Sequence, residues 1–184
     1  RRAVARIRGT GAQIRMQSPL IRHINDNPET WAELRRTGVE LGCVPYYMFV
    51  ERDTGPKNYF EVPLVRAWEI FRDAYKRVSG LARTVRGPSM SALPGKIAID
   101  GVTEVAGQKV FALQFLQARD PEWVRRPFYA KFNPRAAWFD ALEPAFGARE
   151  FFFEAALRDN RRSASARTSL PLVGSSDHRV AHDA

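Results

Sequence analysis

The residue with the clearest chemical potential is a lysine that closes a run of small residues. Residues 83–96 include Gly87, Pro88, Pro94 and Gly95, a composition that predicts a loop ending at Lys96. Backbone N–H groups in such a loop can approach a phosphate, and a lysine amine can form a Schiff base with a carbonyl. The spacing is not that of a P-loop. Lys96 is therefore a candidate Schiff-base lysine, although the residues taken alone favour a plain surface turn.

Polar residues also follow two predicted strands. Gln17 and Ser18 close the first, and Glu51, Arg52 and Asp53 follow the second. In parallel α/β folds, ligands gather at the carboxyl ends of strands. These residues could therefore bind a charged small molecule, or they could be ordinary polar strand ends and turns.

The elements that must position these residues alternate between strands and helices. Apolar and polar residues alternate over 12–18, which predicts a strand that ends at Pro19. Residues 43–51 predict a buried strand. Cys43 at its start is interpreted as an inert apolar filler. Between the two strands, Asp26 or Asn27 caps a helix that starts at Pro28 and stops at Gly42. Its predicted apolar face is formed by Trp31, Leu34, Gly38 and Leu41.

A second helix is predicted over 63–79, with Leu64, Trp68, Phe71, Tyr75 and Val78 on its apolar face. A strand over 97–100 and a hairpin of 102–105 with 109–116 follow. We expect three parts: 1–118 with the βα units and the start of the hairpin, an aromatic-rich covering segment over 119–157, and a disordered tail over 158–184. His178 and His182 in the tail lack a helix signal, so a metal site is not predicted there.

The composition argues against several classes of function. The 184 residues carry a net charge of +9, but the arginine pairs, such as Arg35-Arg36, are scattered, which favours a solvated surface over a nucleic-acid face. One cysteine excludes an internal disulfide and a Cys-rich zinc module, and it favours a cytoplasmic setting. The apolar runs are too short to span a membrane, and no leader peptide is evident. We expect a small-molecule partner and neither nucleic acid nor membrane.

Three ordered segments resemble one known family. Residues 11–20 with Asn25-Asp26, then Val44-Pro45-Tyr46-Tyr47, then the run from Ser79-Gly80 to Pro94-Gly95-Lys96 are similar to the carboxy-terminal half of lysine 2,3-aminomutase-like radical S-adenosylmethionine proteins. The resemblance covers residues 8–115. It implies an α/β fold: the last units of a partial parallel (β/α) barrel of radical SAM type, with a β-hairpin extension.

The resemblance also implies a chemistry. In that family a [4Fe-4S] cluster cleaves S-adenosylmethionine, and the resulting radical acts on an amino acid held as an imine by pyridoxal phosphate, so that an amino group migrates. Lys96 matches the lysine that binds pyridoxal phosphate. Gln17 and Ser18 match a Gln-Ser pair near S-adenosylmethionine. The parent protein would be an isomerase, and a homo-oligomer is compatible with it.

The sequence departs from the family at two places. The cluster-binding Cys-x-x-x-Cys-x-x-Cys is absent, so the chain alone cannot bind the cluster. Arg52 and Ala92 stand where lysine-specific members have two aspartates, with Asp53 one residue away; lysine is therefore not the predicted substrate, and Arg52 would suit a carboxylate. Two alternatives remain: an inactive truncated relic of the family, and a basic nucleic-acid-binding module.

Overall fold

The computed structural model describes residues 1–51 and 56–159. Its centre is one mixed sheet of six strands in the order β1-β2-β3-β4-β5-β6. The strands are β1 Arg15–Leu20, β2 Val44–Val50, β3 Arg86–Ala92, β4 Gly95–Val105, β5 Gln108–Ala118 and β6 Pro127–Lys131. The first three are parallel, and each later strand is antiparallel to its neighbour. The α/β class predicted from the sequence is confirmed.

Four helices accompany the sheet. They are α1 Arg2–Arg8, α2 Pro28–Glu40, α3 Lys57–Phe60 and α4 Leu64–Lys76. The chain runs from β1 through α2 to β2 and then through α3 and α4 to β3, which gives the two predicted βα units. Helix α1 was not predicted. None of the helices described in residues 1–51 and 56–159 is long and apolar enough to cross a membrane.

The start of α2 follows its sequence signals. The Asn27 side chain accepts a hydrogen bond of 2.8 Å from the Thr30 N–H, and Pro28 takes the first helical position. At Gly38 the Met16 side chain of β1 occupies the space that a Cβ atom would need. The glycine thus lets α2 pack closely on the sheet.

The buried face of α2 nevertheless differs from the prediction. Leu34, assigned to the core, is 39% exposed, whereas Arg35 is 1% exposed. Arg35 lies four residues after Trp31 and three before Gly38, so helical periodicity places all three on one stripe. Its guanidinium lies 4.7 Å from the centre of the Phe71 ring. The assignment of Arg35 to a solvated arginine pair was wrong, because it considered the charge of the side chain and not its position on the helix.

Helix α4 is amphipathic as predicted, but its buried stripe is shifted by about one residue. The buried residues are Leu64, Ala67, Ile70 and Ala74, while Tyr75 is 37% exposed. The large aromatic residues border the stripe because small alanines allow closer contact with the sheet. Asp73 pairs with Lys76 and Arg72 of the same helix, while Arg77 pairs with Glu29 of α2.

The largest correction concerns the predicted loop over 83–96. Arg86–Ala92 is strand β3, inside the sheet between β2 and β4, with Met90 fully buried and Ser89 1% exposed. Gly87 has φ +133°, and a Cβ atom there would collide with the Met48 carbonyl oxygen of β2. The small residues thus permit a close backbone approach within a sheet, whereas composition alone suggested a loop.

The hairpin after β3 is confirmed and is longer than predicted. Strands β4 and β5 pair from Gly95 with Ala118 to Val105 with Gln108. Ala106 and Gly107 both have positive φ, as a two-residue hairpin turn of this twist requires. Strand β6 pairs with β5 within the aromatic-rich segment, where Phe128 packs against Phe115, Phe139 and Phe151.

The chain divides into two compact units, residues 1–151 and 152–184. The first contains the sheet and all four labelled helices. Of the second, residues 152–159 are described, and 154–159 are helical. The predicted tail lies, except for Arg158 and Asp159, outside the described residues, as do His178 and His182. The predicted boundaries at 118 and 157 stay predictions.

Candidate functional site

A cleft of about 390 Å³ opens at the carboxyl ends of the parallel strands. Its polar lining consists of Gln17 from β1, Glu51 just after β2, Ser91 from β3 and Lys96 from β4. Its apolar lining consists of Pro19, Phe49, Val50 and Trp138. The strand order β1-β2-β3-β4 brings these residues together although they are far apart in sequence. Two of the predicted site residues, Gln17 and Lys96, therefore share one cleft.

Lys96 is positioned by the tight turn between β3 and β4. Ala92 pairs with Gly95 and Ser91 pairs with Lys96, so only Leu93 and Pro94 form the turn. A Cβ atom at Gly95 would collide with the Gln117 carbonyl oxygen of β5. Gly95 therefore allows β4 to approach β5 immediately before Lys96. The lysine belongs to a strand rather than to a loop, which corrects the sequence expectation.

The Lys96 amine lies over an aromatic ring. The Nζ atom lies 4.0 Å from the centre of the Tyr47 ring. Tyr47 is 3% exposed. Burial raises the pKa of Tyr47, and the nearby Arg86 opposes part of the rise. A cation over an aromatic ring is stabilised by about 1 kcal/mol, so the Tyr47 ring helps to position the amine.

The sequence did not indicate that Glu51 and Trp138 would lie near Lys96. Glu51 has a buried oxygen, Oε2, without a hydrogen-bond partner among the described residues. Trp138 lies just before the 3₁₀ turn Phe139–Ala141, about forty residues along the chain from Lys96. The sequence showed an aromatic-rich segment there but no signal that one ring reaches the strand ends. Glu51 was noted only as part of a charged run after β2.

The other predicted site residues lie elsewhere. Arg52 and Asp53 are outside the described residues. Ser18 lines a second cavity, of about 320 Å³, that also includes Gln17, Arg15, Tyr47 and Arg35. The Ser18 hydroxyl makes one long hydrogen bond, 3.5 Å to the Pro19 carbonyl oxygen. Gln17 borders both cavities, so it is the residue that links the Lys96 cleft to the Ser18 cavity.

The described residues hold no group of three or more His, Cys, Asp or Glu side chains that could bind a metal ion. Cys43 is buried at the start of β2, as expected for an apolar filler. The chemically distinctive groups of the site are therefore an amine, a carboxylate, an amide and a hydroxyl around one cleft.

Fold and cleft together define an α/β protein with a lysine held at the ends of parallel strands. Comparison with known proteins identifies relatives of this chain. A protein of Aquifex aeolicus (strain VF5) named "Putative L-lysine 2,3-aminomutase" is 34% identical over 140 residues, which are 76% of this chain and 36% of that protein. The L-lysine 2,3-aminomutase of Escherichia coli (strain K12) is 35% identical over 99 residues, which are 50% of this chain and 29% of that protein.

The chain belongs to the lysine 2,3-aminomutase-like family, as the resemblance in its sequence implied. It spans about a third of the length of each of these relatives. No protein-family model matches the chain, and no solved structure matches it.

Proposed function

We propose that this chain is the part of a radical S-adenosylmethionine aminomutase-like isomerase that carries the pyridoxal phosphate lysine. In this proposal β1, β2 and β3, with their helices, are the last units of the partial barrel, and the β4–β5 hairpin is its extension. The carrying observation is that Lys96 lines a cleft at the strand ends together with Gln17. Family membership supports the same assignment.

The residues of the cleft fit pyridoxal phosphate. Lys96 would hold the cofactor through its aldehyde, and the Ser91 hydroxyl and Gln17 amide offer hydrogen-bond donors to its oxygen atoms. Trp138 adds an aromatic wall against which a planar ring can pack. When bound, the cofactor supplies a conjugated system that stabilises an unpaired electron next to the amino nitrogen of the substrate.

The chain's own residues position the Lys96 side chain. Its Nζ atom lies 4.0 Å from the centre of the Tyr47 ring, and this contact orients the amine. Phe49, Pro19 and Trp138 form an apolar wall of the cleft that Lys96 lines.

The residues present do not fit the iron–sulfur cluster. Three thiolates are required, and the chain has one cysteine, which is buried in the sheet. We therefore assign no step through the cluster to this chain. Gln17 and Ser18 remain proposed contacts for S-adenosylmethionine.

The proposed substrate is an amino acid. The Oε2 atom of Glu51, which has no hydrogen-bond partner within 1–51 and 56–159, offers an acceptor for a donor group such as an ammonium. Arg52 and Asp53 stay proposed substrate contacts that would select the side chain. A cytoplasmic location, suggested by the cysteine content, belongs to the same proposal, as does the absence of nucleic-acid and membrane partners.

Equilibrium dialysis with pyridoxal phosphate tests this function. Lys96→Met should weaken binding roughly tenfold or more, because the covalent anchor is lost. Lys109→Met is the matched control: its Nζ also lies 4.0 Å from an aromatic ring, that of Phe132, but Lys109 does not line the cleft. Equal affinity of wild type and Lys96→Met would overturn the assignment of the cofactor lysine.

The single cysteine also favours a second candidate, an inactive relic of the family. The coding sequence upstream of Arg1 separates the two. An in-frame Cys-x-x-x-Cys-x-x-Cys supports the enzyme, whereas a stop codon supports the relic.

A further inference from the structure

The side chain of Arg35 has an unusual environment for an arginine. It is 1% exposed, and none of its three guanidinium nitrogens has a hydrogen-bond partner among residues 1–51 and 56–159. A buried charge without a partner is strongly unfavourable. The Phe71 ring, 4.7 Å from the guanidinium carbon, offsets part of this cost but accepts none of the five N–H bonds.

The guanidinium stays charged at neutral pH despite its burial. Desolvation lowers the pKa of Arg35 to about 10, and an interaction with Tyr75 opposes part of that shift. The group therefore still carries its proton near pH 7. An anion is the partner that would satisfy both the positive charge and the N–H donors.

Arg35 lines the cavity of about 320 Å³ between α2 and β1, described above for Ser18. The lining includes a second cation, Arg15, and no acidic side chain. The Ser18 hydroxyl, with its one long hydrogen bond, is a further donor. Much of the remaining wall is apolar and comes from Ile14, Met16 and Trp31.

We propose that this cavity binds a small monocarboxylate, with Arg35 as its cationic anchor and Ser18 as a second donor. Guanidinium groups pair with carboxylates through two parallel hydrogen bonds. The apolar wall then receives the hydrocarbon part of the ligand. The cavity shares Gln17 with the Lys96 cleft, but the proposal does not depend on the function proposed for that cleft.

The test is a thermal-unfolding titration of the full chain with sodium acetate, propanoate and butanoate, against sodium chloride at equal ionic strength. Carboxylates should raise the midpoint temperature above that in chloride, because they bind only the folded chain. Butanoate should bind about tenfold more tightly than acetate, since its additional methylenes are buried in the apolar wall.

Three variants test where the carboxylate binds. Arg35→Met removes the charge with an apolar side chain of similar length, so the chain should fold and lose the carboxylate response. Arg36→Met is the matched control, because Arg36 is exposed and bonds the Arg77 carbonyl oxygen. Ser18→Ala should weaken the response without abolishing it.

An equal midpoint in carboxylate and chloride would overturn the proposal and leave water as the partner of the guanidinium. A carboxylate response that persists in Arg35→Met would overturn it as well. A response that is lost in Arg35→Met and kept in Arg36→Met would support it.

Discussion

Replacement of Gly87 by alanine tests whether the Gly- and Pro-rich run is truly a strand of the sheet. In the structure a Cβ atom at this position would collide with the Met48 carbonyl oxygen and lie 3.2 Å from the Ser89 nitrogen. Both neighbours are backbone atoms, so neither can rotate away. The φ of +133° is also unfavourable for any residue with a Cβ atom.

The expected cost follows from these two effects. Strained backbone conformations cost about 1–3 kcal/mol. Overpacking against fixed atoms adds about 1–3 kcal/mol. We therefore expect Gly87→Ala to lower the free energy of unfolding by about 4 kcal/mol, which with a urea m-value of about 2 kcal/mol/M shifts the midpoint by about 2 M. Urea unfolding followed by tryptophan fluorescence measures the shift.

Two other glycines separate the contributions. Gly107 has φ +73°, and no atom lies within 4 Å of the point where a Cβ would stand, so Gly107→Ala should cost only about 1 kcal/mol from backbone strain. At Gly38 the obstacle is the flexible end of Met16, and alanine favours the helix by about 1 kcal/mol, so Gly38→Ala should be near neutral. If Gly87→Ala were as mild as Gly107→Ala, the close approach of β3 to β2 would be refuted.

Substitutions at three further positions test other parts of the fold by urea unfolding. Asn27→Ala should cost about 1 kcal/mol through loss of the α2 cap, and Asn27→Asp should retain most of the stability; equal stability of both with wild type would argue against the cap. Met90→Ala should cost about 2–5 kcal/mol because the side chain is fully buried in β3, whereas a loop residue would show little change. Glu143→Gln should leave stability unchanged, because its pair with Lys131 is exposed; a clear loss would show that this pair matters more than exposed ion pairs usually do.

Local signals in the sequence predicted much of the first half of the fold. Asn27 and Pro28 define the start of α2 through hydrogen bonding and a fixed φ, and these effects depend on few neighbours. The turn at Ala106-Gly107 is equally local. Such features can be predicted because the physics that determines them acts within about four residues.

Features that depend on distant neighbours could not be predicted in this way. Strand β3 is stabilised by pairing with β2 and β4, which composition does not reveal, and its glycine and proline suggested a loop instead. Arg35 is buried because Phe71 of another helix covers it.

The candidate site also combines residues that local patterns identify with residues whose position depends on distant parts of the chain. Lys96 and Gln17 could be singled out from their local patterns, and the structure places both on one cleft. Trp138 could not, because its position depends on how a later segment folds near the strand ends. The Tyr47 ring under the Lys96 amine is likewise a product of strand pairing, since β2 and β4 are separated by β3.

The most direct test of the central proposal is the site of cofactor attachment. The chain is incubated with pyridoxal phosphate, reduced with borohydride, digested and mapped by mass spectrometry. We expect the pyridoxyl group on Lys96 well before Lys109, Lys76 or Lys131 is modified. Equal labelling of these lysines, or preferential labelling of one other than Lys96, would contradict the proposal.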